Sequence, residues 1–229
     1  IAAPSAFAEA TAFTCRDGFG ETSSHCVPGS SGTFGHVAIT TGELTPLSVN
    51  SIGPIKIAGR LFGSNVEIQA ASATCGGKCW FENKTVSGEM EVDGTFNILH
   101  FNEAEVVGLP QCTIVEDSGV ENTGTFTTTP LEFTTKSPGG LTLTPPEEAP
   151  LATFKIKTTP AAHATPCPII ATEIDLDGEL KGTLSGATLK FNITKPSDEV
   201  ELAGEKASFK AELTLEAGTL VNHAPISLT

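Results

Sequence analysis

Six cysteines, Cys15, Cys26, Cys75, Cys79, Cys112 and Cys167, are the residues best equipped for chemistry in this chain. Thiols in close pairs hold zinc or exchange electrons, so spacing decides what they can do. Cys75 and Cys79 enclose three residues, one more than the redox motif Cys-x-x-Cys, and no second close pair completes a zinc site. The histidines, His25, His36, His100, His163 and His223, are scattered. His25 beside Cys26 is poorly placed for a nucleophile–base pair, because adjacent residues do not readily adopt triad geometry. An even cysteine count in a low-charge chain reads instead as three structural disulfides formed in an oxidising compartment. Cys15 and Cys26 suit a local loop, Cys75 and Cys79 a tight turn around Gly76-Gly77, and Cys112 with Cys167 a link between two halves.

Carboxylates offer a second kind of chemistry. Glu89, Glu91 and Asp93 recur at every second residue, as do Glu173, Asp175 and Asp177. In an extended chain that period places them on one face, opposite Met90 and Val92 or Ile174 and Leu176. Asp175 and Asp177 would then lie roughly 7 Å apart, close enough to share a Ca²⁺ ion, although six to eight oxygens are required and no local loop supplies them. A solvated strand face accounts for the pattern more simply. No Gly-x-Ser-x-Gly elbow, phosphate loop or dinucleotide fingerprint occurs, so no catalytic residue, cofactor or metal is expected. Asn83-Lys-Thr85 and Asn192-Ile-Thr194 satisfy the N-glycosylation sequon, making Asn83 and Asn192 candidate glycan sites.

These groups must be carried by strands. Among 229 residues there are 31 threonines, 23 glycines and 15 prolines, and charged residues amount to 17%, below the roughly 25% of ordinary domains. Branched threonine suits a pleated surface, whereas a helical protein needs more Ala, Leu, Glu and Lys. Alternating or β-rich runs fall at His36–Thr40, Ile55–Ile57, Leu61–Phe62, Val66–Ala70, Ala152–Lys157, Thr183–Ile193 and Ala207–Leu215. Gly88–Val92 and Thr95–Phe101 read as strands joined by a hairpin turn at Asp93-Gly94. Only the stretch 201–212 is ambiguous with a helical period.

Glu89-Met-Glu-Val-Asp-Gly94 matches Glu173-Ile-Asp-Leu-Asp-Gly178 in character, and Leu99-His-Phe101 and Leu189-Lys-Phe191 follow them. Convergence of two hairpins would produce the same match as two related units. The expected fold is all-β, an antiparallel β-sandwich of two related β-units. An N-terminal segment with a cysteine loop (1–31) would precede a first unit (32–140) and a second (141–229).

Net charge is −14, from 27 acidic and 13 basic residues. That balance opposes binding to nucleic acid or to an anionic membrane surface, and the sequence contains no Lys/Arg run. No apolar run is long enough to form a transmembrane helix. The stretch Ile1–Ala10 is small and apolar until Glu9; it reads either as the tail of an export signal, with Ala6-Phe7-Ala8 at the cleavage site, or as a segment held by its own domain or a neighbouring subunit.

Thr41-Gly-Glu-Leu-Thr-Pro-Leu47, Thr74-Cys75-Gly-Gly77, and Cys112 followed by Gly124-Thr-Phe-Thr-Thr-Thr-Pro-Leu131 resemble segments of secreted actinobacterial β-rich proteins. The motifs cover under a third of the chain, and the resemblance implies export without assigning a functional residue. The expectation is a noncatalytic extracellular or cell-surface structural protein, a homo-oligomer or polymer that forms filaments or surface arrays through Ile1 to Phe7. An adhesin or carbohydrate-binding module recognising surface glycans is the alternative, and a secreted hydrolase the third reading.

Overall fold

The structure is a computed structural model and describes residues 12–17, 34–116, 124–135, 139–147, 149–159, 165–185, 187–217 and 224–228. Strands account for nearly all regular structure, and no helix occurs among the described residues. In chain order they are β1 (Ala12–Asp17), β2 (Phe34–Ala38), β3 (Thr45–Ser51), β4 (Ile55–Leu61), β5 (Ser64–Ala70), β6 (Ser72–Gly76) and β7 (Trp80–Val86). Next come β8 (Glu89–Phe96), β9 (Ile98–Asn102), β10 (Glu105–Val106), β11 (Cys112–Glu116), β12 (Phe126–Thr127), β13 (Leu131–Thr135) and β14 (Gly140–Leu143). The remainder are β15 (Ala152–Thr158), β16 (Ala171–Gly178), β17 (Leu180–Ser185), β18 (Thr188–Leu202), β19 (Glu205–Ala217) and β20 (Ala224–Leu228).

Every pairing between these strands is antiparallel. The expected sandwich gives way to a nearly closed, barrel-like sheet. Following partners from β3 leads through β7, β8 and β13 to β14, then through β17, β18 and β19 back to β3. The weakest joint is between β13 and β14, where one bridge, Glu132 with Thr144, exchanges backbone hydrogen bonds of 2.8 and 2.9 Å. Closure removes the open edges that a sandwich must protect, and inward-facing side chains fill a small barrel completely. Leu47, Phe81, Val92, Phe133, Leu141, Leu184 and Leu215, one from each of seven ring strands, surround a residual space of about 10 Å³. That is at most the room of a single water, and its lining is apolar.

β18 and β19 are long enough to serve a second set of strands. The late part of β19 pairs with β3, whereas its early residues Ser208–Lys210 pair with β4, which continues to β5 and β10. The late part of β18 pairs with β16, then β15 and β11. Register slips between Ile193 and Ser197 and between Ser197 and Glu201, where β18 passes from one set to the other. Extra residues of this kind bend a strand and tighten its twist. Within this second set the Phe101 and Phe126 rings stack with centroids 4.6 Å apart, and Phe154 packs against Phe126 at a tilt of 41° with centroids 4.9 Å apart. Among the described residues, all the buried apolar side chains except Val115 form one continuous cluster. Stretches 32–140 and 141–229 are interleaved within it, since β19 pairs with β3 and β4, and β15 pairs with β11. The ambiguous stretch 201–212 is the end of β18 and most of β19.

Two-residue turns with both central residues at positive φ close three hairpins: Phe62-Gly63 (51° and 80°), Ser87-Gly88 (55° and 89°) and Ala203-Gly204 (53° and 74°). These turns match the right-handed twist of the strands they join. The hairpin expected at Asp93-Gly94 is displaced to Ser87-Gly88, and Asp93-Gly94 lies within the unbroken strand β8. Gly94 is required there for space: a Cβ would overlap the ring of Phe133 and come within 2.7 Å of the Trp80 carbonyl oxygen.

Candidate functional site

Cys75 is disulfide-bonded to Cys79, and Cys112 to Cys167, with Cα separations of 6.4 and 4.8 Å. The first closes the turn between β6 and β7, where the His100 ring covers Gly76 and the Asn97 amide covers Gly77, leaving neither position room for a Cβ. The second fastens the start of β11 to the segment that enters β16. The pairing expected for Cys15 and Cys26 lies outside the described side chains, as do Ile1 and Phe7.

Asn83 and Asn192 occupy opposite environments. Asn192 is exposed on β18. Asn83 is 0% exposed, and its Nδ2 donates to the Ala12 and Ile39 carbonyl oxygens at 3.0 and 2.8 Å while its Oδ1 accepts from the Ala12 N–H at 2.8 Å. An amide with both hydrogens engaged and no exposed surface has no room for a glycan in this fold. The side chain instead acts as a short piece of backbone, tying the start of β1 and the residue that follows β2 to β7.

The acidic row on β16 is assembled as its period predicts and extended by the neighbouring strand. Asp177 stands opposite Glu201, and Asp175 accepts a 2.7 Å hydrogen bond from the Thr153 hydroxyl. Burial, and then repulsion from Asp175 and Glu201, holds the Asp177 carboxyl above its ordinary range. Among the described residues, no group of three or more His, Cys, Asp or Glu side chains is placed to hold a metal ion.

Among the described residues, a concavity lies on the outer face of β5, β4 and β19. It encloses about 690 Å³, within the range of small-ligand sites, and its lining includes Arg60, Asn65, Glu67, Val107, Lys206 and Ser208. Alternation along β4 puts Lys56, Ala58 and Arg60 on this face, and alternation along β19 adds Lys206, Ser208 and Lys210. Register brings these rows together: Lys210 stands opposite Lys56, Ser208 opposite Ala58, and Asn65 opposite Arg60. Four cations thus share one face, although no two of them are neighbours in sequence. Lys56 is paired with Glu67 at 3.0 Å, and Arg60 Nη2 donates to the Gly63 carbonyl oxygen at 3.0 Å. Lys206 is engaged within the fold. Sequence reading missed this site because it searched for cationic runs; the signal it needed was the i, i+4 repeat of cations on two strands that pair across 150 residues.

Compared with protein-family models, curated proteins and solved structures, the chain matches none.

Proposed function

We propose that this chain is a noncatalytic extracellular structural protein that assembles with copies of itself through the segment Ile1–Phe7. The observation that carries this reading is the interleaved sheet with a filled barrel, stapled by Cys75–Cys79 and Cys112–Cys167. Such construction resists unfolding, and disulfides persist in oxidising surroundings. β1 is paired on both sides, with β2 and β20, so the residues before it leave from an anchored strand. Negative-stain electron microscopy of the untagged protein tests the proposal, with and without residues 1–10. Filaments or sheets that vanish on deletion, while circular dichroism still reports a folded monomer, support it. Dispersed monomers of the intact chain overturn it.

The cleft over β5, β4 and β19 favours a second reading, an adhesin or carbohydrate-binding module. Its polar and apolar groups converge on a space of ligand size, whereas the barrel interior has none.

A further inference from the structure

We propose that the cleft over β5, β4 and β19 receives the segment Ile1–Phe7 of a neighbouring copy, with Phe7 as the anchor. The inference rests on the self-assembly reading and names the face on which the segment docks. The charge of the cleft, an open sheet edge beside it and the reach of the chain lead there.

Within the lining, Arg60 and Lys206 are balanced by Glu67 and Glu205. On the same face Lys56 and Lys210 are matched by Glu105 and Glu201. A chain of net charge −14 thus keeps one concave surface where an uncharged peptide meets no uncompensated field. Ala58, Gly59, Val66 and Val107 supply apolar contact there, and Val107 is 43% exposed. Ile1–Phe7 (IAAPSAF) carries no charged side chain. Laid out as a strand, it would set Ile1, Ala3, Ser5 and Phe7 on one face and Ala2, Pro4 and Ala6 on the other. The first face brings the large apolar groups, and about 690 Å³ is room for an aromatic ring with its neighbours.

β10 covers the edge of β5 only in part. Glu105 pairs with Gln69 and Val106 with Ile68, and the Val107 N–H donates to the Glu67 carbonyl at 2.9 Å. There the chain turns away, with Gly108 at φ 76° and the Leu109 N–H returning to the Val106 carbonyl. Alternate residues of an antiparallel strand bond to the same side, so the Asn65 N–H and C=O face the way the Glu67 carbonyl does. Among the described residues no strand pairs with Ser64–Val66 on that side. An incoming strand prolongs the line of β10, and its alternate side chains project over the outer face toward the cleft. Pro4 is tolerated in such a strand, because an added strand is itself an edge.

Reach decides whose segment can dock. Ala12, where β1 begins, is hydrogen-bonded to Asn83 and Ile39. Asn83 lies beyond the Thr45–Phe81 pair, at the end of the barrel where Leu47 meets Ala217. Ser208, at the near side of the cleft, is nine residues along β19 from Ala217, roughly 30 Å of strand. Phe7 precedes Ala12 by five residues, which span at most about 18 Å when fully extended. Phe7 therefore cannot anchor in the cleft of its own chain. Donor segment and receiving cleft lie at opposite ends of the molecule, so each contact leaves one of each free for the next copy. Head-to-tail contacts of that kind propagate into filaments.

The test is sedimentation velocity on full-length variants, alone and mixed. Phe7→Asp spoils the donor and leaves the cleft intact, whereas Val107→Asp spoils the cleft and leaves the donor intact. Ala58→Arg is a second cleft variant, and a melting temperature close to wild type verifies that each one folds. Every variant alone is expected to sediment as a monomer under conditions where wild type polymerises. An equimolar mixture of Phe7→Asp with Val107→Asp should form a dimer that grows no further, because one sound donor then meets one sound cleft. Wild-type polymers should persist in concentrated salt, since no net charge drives the contact. Folded cleft variants that polymerise like wild type overturn the inference, while loss of polymers in Phe7→Asp preserves the self-assembly reading. A mixture that stays monomeric, or polymers that dissolve in concentrated salt, overturns the inference as well. A wild type that stays monomeric overturns both.

Discussion

Glu89–Gly94 in β8 and Glu173–Gly178 in β16 are nearly the same sequence in chemical character, and both are built as strand. Their surroundings differ. β8 lies inside the barrel ring between β7 and β13, where Asp93 forms a 3.0 Å ion pair with Lys84 and Gly94 lies under the Phe133 ring. β16 lies in the second set between β15 and β18, where Asp177 faces Asp175 and Glu201, and Gly178 adopts a φ of +106° against the Glu199 carbonyl. Pattern alone sets the strand and its faces. Neighbouring strands decide whether an aspartate is neutralised or crowded, and whether a glycine is needed for space or also for its backbone angle.

The glycines give the widest separation. Gly178→Ala would place a Cβ onto the Glu199 backbone carbonyl at a φ hostile to side chains, so a loss of about 4 kcal/mol or failure to fold is expected in urea denaturation. A near-wild-type midpoint would mean that β16 and β18 do not approach so closely. Gly94→Ala should cost less, about 2–3 kcal/mol, because the Phe133 ring can move although the Trp80 carbonyl cannot. Adding Phe133→Leu should therefore recover only part of that loss; full recovery would leave the Trp80 contact without consequence.

The aspartates separate by sign. Asp177 binds its proton more readily in the folded state than in the unfolded chain, so its ionised form opposes folding. That cost is complete above the raised folded pKa and gone below the ordinary carboxylate value, so the group's contribution improves as pH falls through this window. Asp177→Asn should accordingly raise the melting temperature modestly at neutral pH, with a gain that shrinks on acidification; a pH-independent gain would remove the electrostatic explanation. Lys84→Ala should have the smallest effect, a slight destabilisation that concentrated salt erases. The Asp93 hydrogen bond is the main cause holding the exposed Lys84 ammonium above its ordinary pKa. An effect larger than that of Gly94→Ala would place Lys84 within the barrel's essential packing.

The all-β class, the acidic face of β16 and the Cys75–Cys79 link were legible because composition, period two and close cysteine spacing act locally. Cys112–Cys167 had to be chosen among fifteen possible complete connectivities, and Glu91, expected on a solvated face of β8, is buried. The hairpin at Asp93-Gly94 was misread because a favourable turn pair serves equally well where a strand must pass beneath an aromatic ring. Asn83 read as a glycan acceptor because a sequon carries no information about burial. Barrel closure was hidden for a different reason. Nothing near Thr45–Ser51 announces that its partner is the end of β19, and nothing near Lys56 or Arg60 announces that Lys206 and Lys210 will stand beside them. These are register relations between distant segments, and the cleft exists only through them.

The hydroxyl of Thr214 reaches the carbonyl of Asn50 across 164 residues of chain, at the seam where β19 joins β3. A chain made from its N-terminus therefore exposes the β19-facing edges of β3 and β4 until β19 has been synthesised. Closing so long a loop precedes the stabilisation it brings, which favours slow folding and leaves apolar edges open to association meanwhile. Truncation before β19 would thus leave β3 and β4 each with one edge unpaired, and β19 would act as the latch that covers both.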